Sequence, residues 1–265
     1  MNIVITGMGY VGLITAVCLA KMGFNISCID INKNKIDSLK LCKSDIYEEE
    51  LQDMLNVYRE SLLFTTDYEE PYKNADVIFV AVDTPEGIDG SVDMTNVDSA
   101  IEDIAEIVTH DCIVIIKSTV PVGTNKRFQH YFEGIAHGHY KIIVVSNPEF
   151  MSQGSAIHDT LNASRIILGY KDESCAKILH TLYSPFGVPI YETDPESSEM
   201  IKYASNAFLA LKISYMNNIA NLCEKVGANV ESVKKGMIFD KRIGSNYLML
   251  TEQTQFLLYP TKNVK

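Results

Sequence analysis

No run of Lys and Arg occurs anywhere in the 265 residues, and 23 basic against 34 acidic side chains leave a net charge of −11 at pH 7. The stripe with which a protein tracks phosphate backbones is therefore missing, and no nucleic-acid partner is expected. Long apolar runs are missing too. The longest, 76–82 and 112–116, fall far short of the ~20 residues that cross a bilayer, so no membrane segment is expected. No cationic segment or small-residue cleavage site precedes the first apolar run, which makes a secretory leader unexpected and the cytoplasm the expected compartment. The six cysteines, at 18, 28, 42, 112, 175 and 223, include no C-x-x-C and no Cys/His spacing suited to zinc. Neither a metal nor a disulfide is expected, and Cys18, Cys28 and Cys112 lie inside apolar patterns that read as packed thiols. What remains, 46% hydrophobic and 22% charged, is an ordinary globular composition with room for up to two domains of ~100–200 residues.

The order of elements is informative. Asn2–Thr6 is a short apolar run that ends in glycines, a helical pattern follows from Tyr10 to Met22, and a second run, Phe24–Ile29, ends at Asp30. A strand, a tight turn, a helix and a second strand within about thirty residues make a parallel pair, because only a crossover returns the chain to the same sheet edge. Further strands are expected at 62–65, 76–82, 112–117, 141–145 and 165–168, with helices near 34–41, 48–58, 95–108 and 125–132. This alternation predicts an α/β fold, a Rossmann-like doubly wound parallel sheet, over residues 1–190. Thr193-Asp194-Pro195-Glu196 then reads as a helix start, with a capping side chain, a proline whose missing N–H costs nothing and an acid in the first turn. From there Ile201, Ala204, Phe208, Leu211, Tyr215, Ile219, Leu222 and Val226 recur at spacings of three and four until Gly227. Some thirty residues at ~1.5 Å each span roughly 45 Å, more than one small domain needs, which suits a bridging element or the seam of a homodimer. A shorter helix near 230–239 completes a central helical region, 191–244, and residues 245–265 show no period.

A glycine-rich turn and three further loops at the carboxyl edge of this sheet are the candidates for chemistry. Gly7-Met8-Gly9-Tyr10-Val11-Gly12 is a G-x-G-x-x-G turn between strand and helix, a setting that lets backbone amides and a helix N-terminus approach a pyrophosphate. Asp30, eighteen residues after Gly12, closes the second strand where a carboxylate meets ribose hydroxyls and repels a 2′-phosphate; this favours NAD over NADP, although Lys33 and Lys35 nearby offer the opposite charge. Asp83-Thr84-Pro85, Lys117 to Thr124 and Ser146 to Phe150 each follow a strand. The first two read equally well as a turn or a site, and a loop glutamate such as Glu149 is usually solvated surface, but three such loops converging on one crevice favour a site. Lys202 and Asn206, four apart, stack on one helix face. They read either as a solvated pair or as an ammonium and amide that hold a developing alkoxide.

Together these segments resemble the UDP-glucose/GDP-mannose dehydrogenase family, in particular its UDP-glucose 6-dehydrogenases. The resemblance runs from Met1 to about Tyr247 and rests on GMGYVG, AVDTP with Gly90 and Asp93 beyond it, KSTVPVGT, SNPEF, SRIILG, EMIKYASNAFLALKIS, NIANLCEKVGANVE and DKRIG. It implies a four-electron oxidation of a sugar 6-hydroxyl to a carboxylate with two NAD, through aldehyde, thiohemiacetal and thioester stages. It implies further that Gly7, Gly9, Val11, Gly12, Asp30, Lys35, Thr84 and Thr119 contact NAD, and that Glu149 and Thr119 manage a water. Lys202 and Asn206 would hold the reacting oxygen, Phe150 and Gln153 would lie on the substrate side with Glu149, and Arg242 would reach UDP-glucose across a dimer interface.

Two departures stand against it. The family motif F-L-x-E-G reads Phe150-Met151-Ser152-Gln153-Gly154, so an amide that cannot act as a base replaces a carboxylate. Beyond DKRIG the family's G-G-S-C-F-P-K-D, with its nucleophilic cysteine, is replaced by Leu248 to Pro260, and the nucleotide-sugar domain is not found. Cys223 lies twenty-one residues along the helix from Lys202, roughly 30 Å, too far to substitute. The expectation is a C-terminally truncated relative that binds NAD without completing the reaction, its long helix exposing an apolar face. The alternatives are a non-catalytic NAD-binding or dimerising fragment and a 3-hydroxyacid-type dehydrogenase.

Overall fold

Four strands rich in β-branched and aromatic residues, β1 (Ile3–Thr6), β2 (Ile26–Ile29), β3 (Leu62–Thr65) and β4 (Val77–Val80), pair parallel with β5 (Cys112–Ile116) and β6 (Ile142–Ser146). The computed structural model describes residues 1–244. The sheet order is β3-β2-β1-β4-β5-β6-β7-β8, so the chain reverses direction of travel beside β1, with β2 on one side and β4 on the other. Side-chain alternation divides the sheet between two cores. Ile3, Ile5, Val77, Phe79, Ile113 and Ile115 face α1 (Tyr10–Lys21), α2 (Lys33–Lys40) and α3 (Leu51–Val57), while Val4, Ile78, Val80, Cys112, Val114 and Ile116 face α4 (Glu69–Lys73), α5 (Thr95–Ile107) and α6 (Thr124–Ala136). A strand buried on both faces needs a continuous apolar run, which is why IVIT, VIFV and CIVII stand out.

The expected parallel sheet runs from β3 across to β6, and one edge adds an antiparallel contact. After α7 (Ala156–Leu161), strand β7 (Ile166–Gly169) runs antiparallel to β6 and meets it only at Ser146–Gly169. After α8 (Ala176–Tyr183), β8 (Ile190–Thr193) pairs parallel to β7. Where β6 and β7 part, the carboxamide of Gln129 on α6 takes the place of a strand: its Nε2 donates to the Ile142 carbonyl at 3.0 Å and its Oε1 accepts from Val144 N at 2.9 Å.

The chain divides into two units, 1–202 and 203–265. Helix α9 (Pro195–Val226) opens with proline and ends before Gly227, which takes the left-handed φ of +74° that stops a helix. In the second unit Ile213, Met216 and Cys223 are buried, whereas Phe208, Leu211, Tyr215, Leu222 and Val226 form an exposed apolar stripe, 60% exposed at Phe208. Helix α10 (Val230–Ile238) follows, capped by the Asn229 side chain on Ser232 N. The expected divergent tail, 245–265, lies outside the described residues. Among the described residues, no helix is long and apolar enough to cross a membrane.

Candidate active site

Steric demand explains the glycine turn. Gly7 has φ +94°, and a Cβ there would stand 2.7 Å from the Ala81 carbonyl oxygen; at Gly12 a Cβ would lie 1.8 Å from the Gly7 oxygen. A Cβ on Gly9 would meet Asp83 Oδ1 at 2.9 Å. Three bare α-carbons thus let the turn lie against the end of β4. Gly9 caps α1 without any side-chain acceptor, so the first amides of α1 remain available to an anion. Val11 and Tyr10 pack half-buried on the core beneath. Asp30, at the end of β2, accepts from Met8 N through Oδ2 and from Asn32 N through Oδ1, both at 2.8 Å, which fixes its carboxylate beside the turn. Lys35 lies in the first turn of α2, its amide bonded to Asn32 Oδ1, and borders a pocket of about 320 Å³ with Asn32, Ser38 and Lys43. Bare glycines, an uncapped helix start and an anchored acid at the strand end fit a dinucleotide.

The other loops follow the adjacent strands β4, β5 and β6. Thr84 and Thr119 are half-buried, and Ser118 Oγ donates to the Val82 carbonyl at 2.7 Å, tying the second loop to the first. Glu149, expected on a loop that could have been solvated, is enclosed. Its Oε1 lies 2.6 Å from Lys202 Nζ, its Oε2 accepts from Met151 N at 2.8 Å, and its own carbonyl takes a second bond from Lys202 at 2.6 Å. Lys202 is only 6% exposed, which removes the reading of a solvated lysine. Its ammonium also stands 5.4 Å from the Phe150 ring centroid, and the Arg165 guanidinium stacks on that ring at 4.6 Å. Gln153 is exposed. Asn206 and Arg242 belong to the second unit; Asn206 is exposed, and Arg242 is engaged by Asp240 at 2.6 Å.

Two polar clusters here are invisible to local sequence patterns. Glu199, one turn before Lys202, is buried and accepts from Gly123 N at 2.5 Å, from Asn125 N at 2.8 Å and from Asn125 Nδ2 at 2.6 Å. A carboxylate from α9 thus caps α6, satisfies its first amides and fixes the azimuth at which Lys202 leaves the helix. Gly169 makes room for the same turn, since a Cβ there would meet Ser198 Cβ at 2.5 Å. Behind the pair, Lys117 Nζ donates to Asn147 Oδ1 at 2.9 Å, which also accepts from Tyr183 Oη at 2.6 Å, while Asn147 Nδ2 donates to the Ile167 carbonyl. Burial lowers the Lys117 ammonium from 10.5 to about 8, with Glu149 opposing and Lys202 reinforcing the shift. Nothing in the spacing of KSTVPVGT or SNPEF marks these contacts, which join elements twenty or more residues apart.

Comparison with known proteins places this geometry. Residues 1–187 match the NAD binding domain of the UDP-glucose/GDP-mannose dehydrogenase family, and residues 196–251 match its central domain. UDP-glucose 6-dehydrogenase YwqF of Bacillus subtilis is 48% identical over 255 residues, which cover 94% of this chain and 57% of the relative. UDP-glucose 6-dehydrogenase TuaD of the same organism is 45% identical over 249 residues, covering 93% and 54%. A solved UDP-glucose dehydrogenase from the hyperthermophilic archaeon Pyrobaculum islandicum gives a TM-score of 0.89 at 35% identity, over 94% of this chain and 59% of that one. The chain therefore spans a little over half the length of these relatives. Because one family model alone, that of the NAD binding domain, accounts for residues 1–187, the chain belongs to the UDP-glucose/GDP-mannose dehydrogenase family.

Proposed function

We propose that these residues form the cofactor-binding and hydride-transfer part of an NAD-dependent UDP-glucose 6-dehydrogenase. The observation that carries this reading is the enclosed Lys202–Glu149 pair, in which Lys202 on α9 meets the loop after β6, at the same sheet edge as the glycine turn. NAD, when bound, supplies the hydride acceptor. Gly7, Gly9, Val11 and Gly12 admit its pyrophosphate to the α1 amides, Asp30 takes ribose hydroxyls, and Lys35, Thr84 and Thr119 complete the cradle. The Lys202 ammonium holds the sugar oxygen. As the hydroxyl proton passes to a water beside Glu149, that fixed positive charge would stabilise the alkoxide, more strongly in a water-poor site than in solvent, until the carbonyl forms as the C–H hydrogen departs with its electron pair to NAD. Glu149, paired with Lys202, orders a water together with Thr119. Phe150 and Gln153 border the sugar, Gln153 by hydrogen bonding alone. The exposed stripe of α9 is the surface through which a homodimer forms, and Arg242 reaches the substrate across it.

The thiols favour a specific limit on this activity. All six cysteines are buried, and burial pushes the Cys18 and Cys112 thiols up to about 12, so neither is a thiolate at neutral pH. The covalent second oxidation then draws on a cysteine outside these 265 residues, and the chain alone binds NAD without making a carboxylate. NADH fluorescence titration together with calorimetry of UDP-glucose tests both halves. NADH binding and no UDP-glucuronate are expected. Absence of NADH binding overturns the cofactor assignment, and two NADH released per UDP-glucuronate overturns the limit. Reduction of NAD by a 3-hydroxyacid with no nucleotide sugar present would transfer the chain to that class instead.

A further inference from the structure

Glu48 lies in the connection between α2 and α3, whose neighbouring Tyr47 is 92% exposed, yet Glu48 itself is 6% exposed. Among the described residues no cation pairs with it. A carboxylate enclosed without a counter-ion is costly unless donors surround it, and here they do. Glu48 Oε1 accepts from the Tyr10 phenol and from Gly154 N, and Oε2 accepts from Ala156 N at 3.0 Å. The Tyr10 hydroxyl also lies 3.4 Å from the Ser152 carbonyl oxygen. Burial, reinforced by the Glu48 charge, raises the Tyr10 phenol far above its ordinary range, so it stays a donor.

The three partners of Glu48, and the Ser152 carbonyl that Tyr10 also meets, come from two places. Tyr10 is part of the glycine turn and opens α1. Ser152, Gly154 and Ala156 belong to the segment that runs on from Glu149 through Phe150 and Gln153 into α7. The two sides also meet through the long Tyr10–Ser152 contact and through the packing of α7 on α1 in the same core. The carboxylate is bonded to both sides at once, and it lies at a position, 48, that carries neither a glycine-turn nor a loop motif.

We infer that Glu48 is a positioning residue that holds the 150–156 loop against the dinucleotide turn through Tyr10, so that the cofactor side and the substrate side of the site are ordered together. The second half of that statement rests on the functional reading given above; the lock itself does not. A carboxylate is needed because both of its oxygens are used and Oε1 serves two donors. A glutamine would present one acceptor oxygen and turn an amide donor toward an N–H.

Hydrogen exchange read by mass spectrometry on the full chain, with Glu48→Gln and Tyr10→Phe, tests the inference. Loss of a charge-assisted bond is expected to speed exchange in peptides covering 152–157 by about tenfold or more, while peptides from β5 keep their rates. Tyr10→Phe touches neither Gly154 nor Ala156, so faster exchange there in that variant reports the link and not simple damage to the loop. Unchanged loop exchange in Tyr10→Phe, or acceleration in β5 equal to that in the loop, overturns the proposal. Adding NADH to the wild-type chain should slow exchange at 152–157 and should fail to do so in either variant. NADH that binds, as fluorescence shows, but protects this loop equally in wild type and Glu48→Gln also overturns it. If NADH does not bind the wild-type chain at all, the cofactor reading falls, and the ligand-free exchange rates decide the lock on their own.

Discussion

Replacing Lys117 with methionine should stabilise the protein at neutral pH and abolish a rise in its stability on the alkaline side. Lys117 is 8% exposed, and its ammonium has one acceptor, Asn147 Oδ1. Its folded-state value, about 8, lies below the 10.5 of a free lysine. Below pH 8 both folded and unfolded chains carry the proton, and the fold bears the full cost of enclosing it. Between about 8 and 10.5 the native lysine is neutral while the unfolded one remains protonated; the unfolded state binds more protons, so stability rises with pH. At about 1.4 kcal/mol per tenfold change in proton affinity, that rise amounts to roughly 3 kcal/mol. The buried thiols of Cys18 and Cys112 work the other way, since values near 12 keep them protonated in the native state and withdraw stability above about pH 9. Cys112 is common to both proteins and cancels in the difference, whereas the Lys117 charge lowers Cys18, so its removal lets that thiol rise further and does not imitate the loss of the lysine's own titration. Methionine matches the length of the lysine stem, and Asn147 Oδ1 keeps its bond from Tyr183. Urea denaturation followed by the emission of the 14 tyrosines, with no tryptophan to mask it, should show Lys117→Met ahead of wild type at pH 7 and the gap closing by pH 10. A gap that stays constant from pH 7 to 10 would mean the lysine is not desolvated, and the reasoning would fail.

Glu149→Gln leaves Lys202 enclosed with only carbonyl and amide acceptors, and should cost about 3 kcal/mol, read as a lower urea midpoint. Gly12→Ala drives a methyl into the Gly7 carbonyl, and should cost about 3 kcal/mol and remove NADH fluorescence enhancement together; an alanine variant that still binds NADH at the wild-type level would contradict the packing argument. Glu50 holds φ +67° with its side chain in solvent. Since the left-handed region costs a non-glycine residue ~1–2 kcal/mol and glycine returns ~0.5–1 of it to the unfolded chain, Glu50→Gly should raise the thermal midpoint by the equivalent of about 1 kcal/mol.

Elements whose signals are local were readable in the sequence. GMGYVG announced the β1–α1 turn because its glycines answer clashes within a few residues, and Pro195 with Gly227 bracketed α9 because capping is a matter of the adjacent turn. The direction of β7 was not readable, since nothing in IILG distinguishes a strand running one way from one running the other. Strand β8 went unnoticed because IYET is only half covered and carries no strong alternation. Lys202 was legible as a residue, but its enclosure was not: that depends on Glu149 arriving from β6 and on Glu199 gripping α6. Glu48 and Asn147 were silent for the same reason, because each satisfies donors or acceptors that come from distant stretches of chain.

A sheet whose strands separate partway along their length offers a raw edge to any passing peptide. On the β6 side that edge is plugged by the Gln129 carboxamide, which imitates the donor and acceptor of a missing neighbour. Resistance to self-association at this seam is thereby lodged in one neutral side chain. A glutamate in its place would turn two like dipoles on the Ile142 carbonyl and reopen the seam, whatever became of the chemistry on the far side of the sheet.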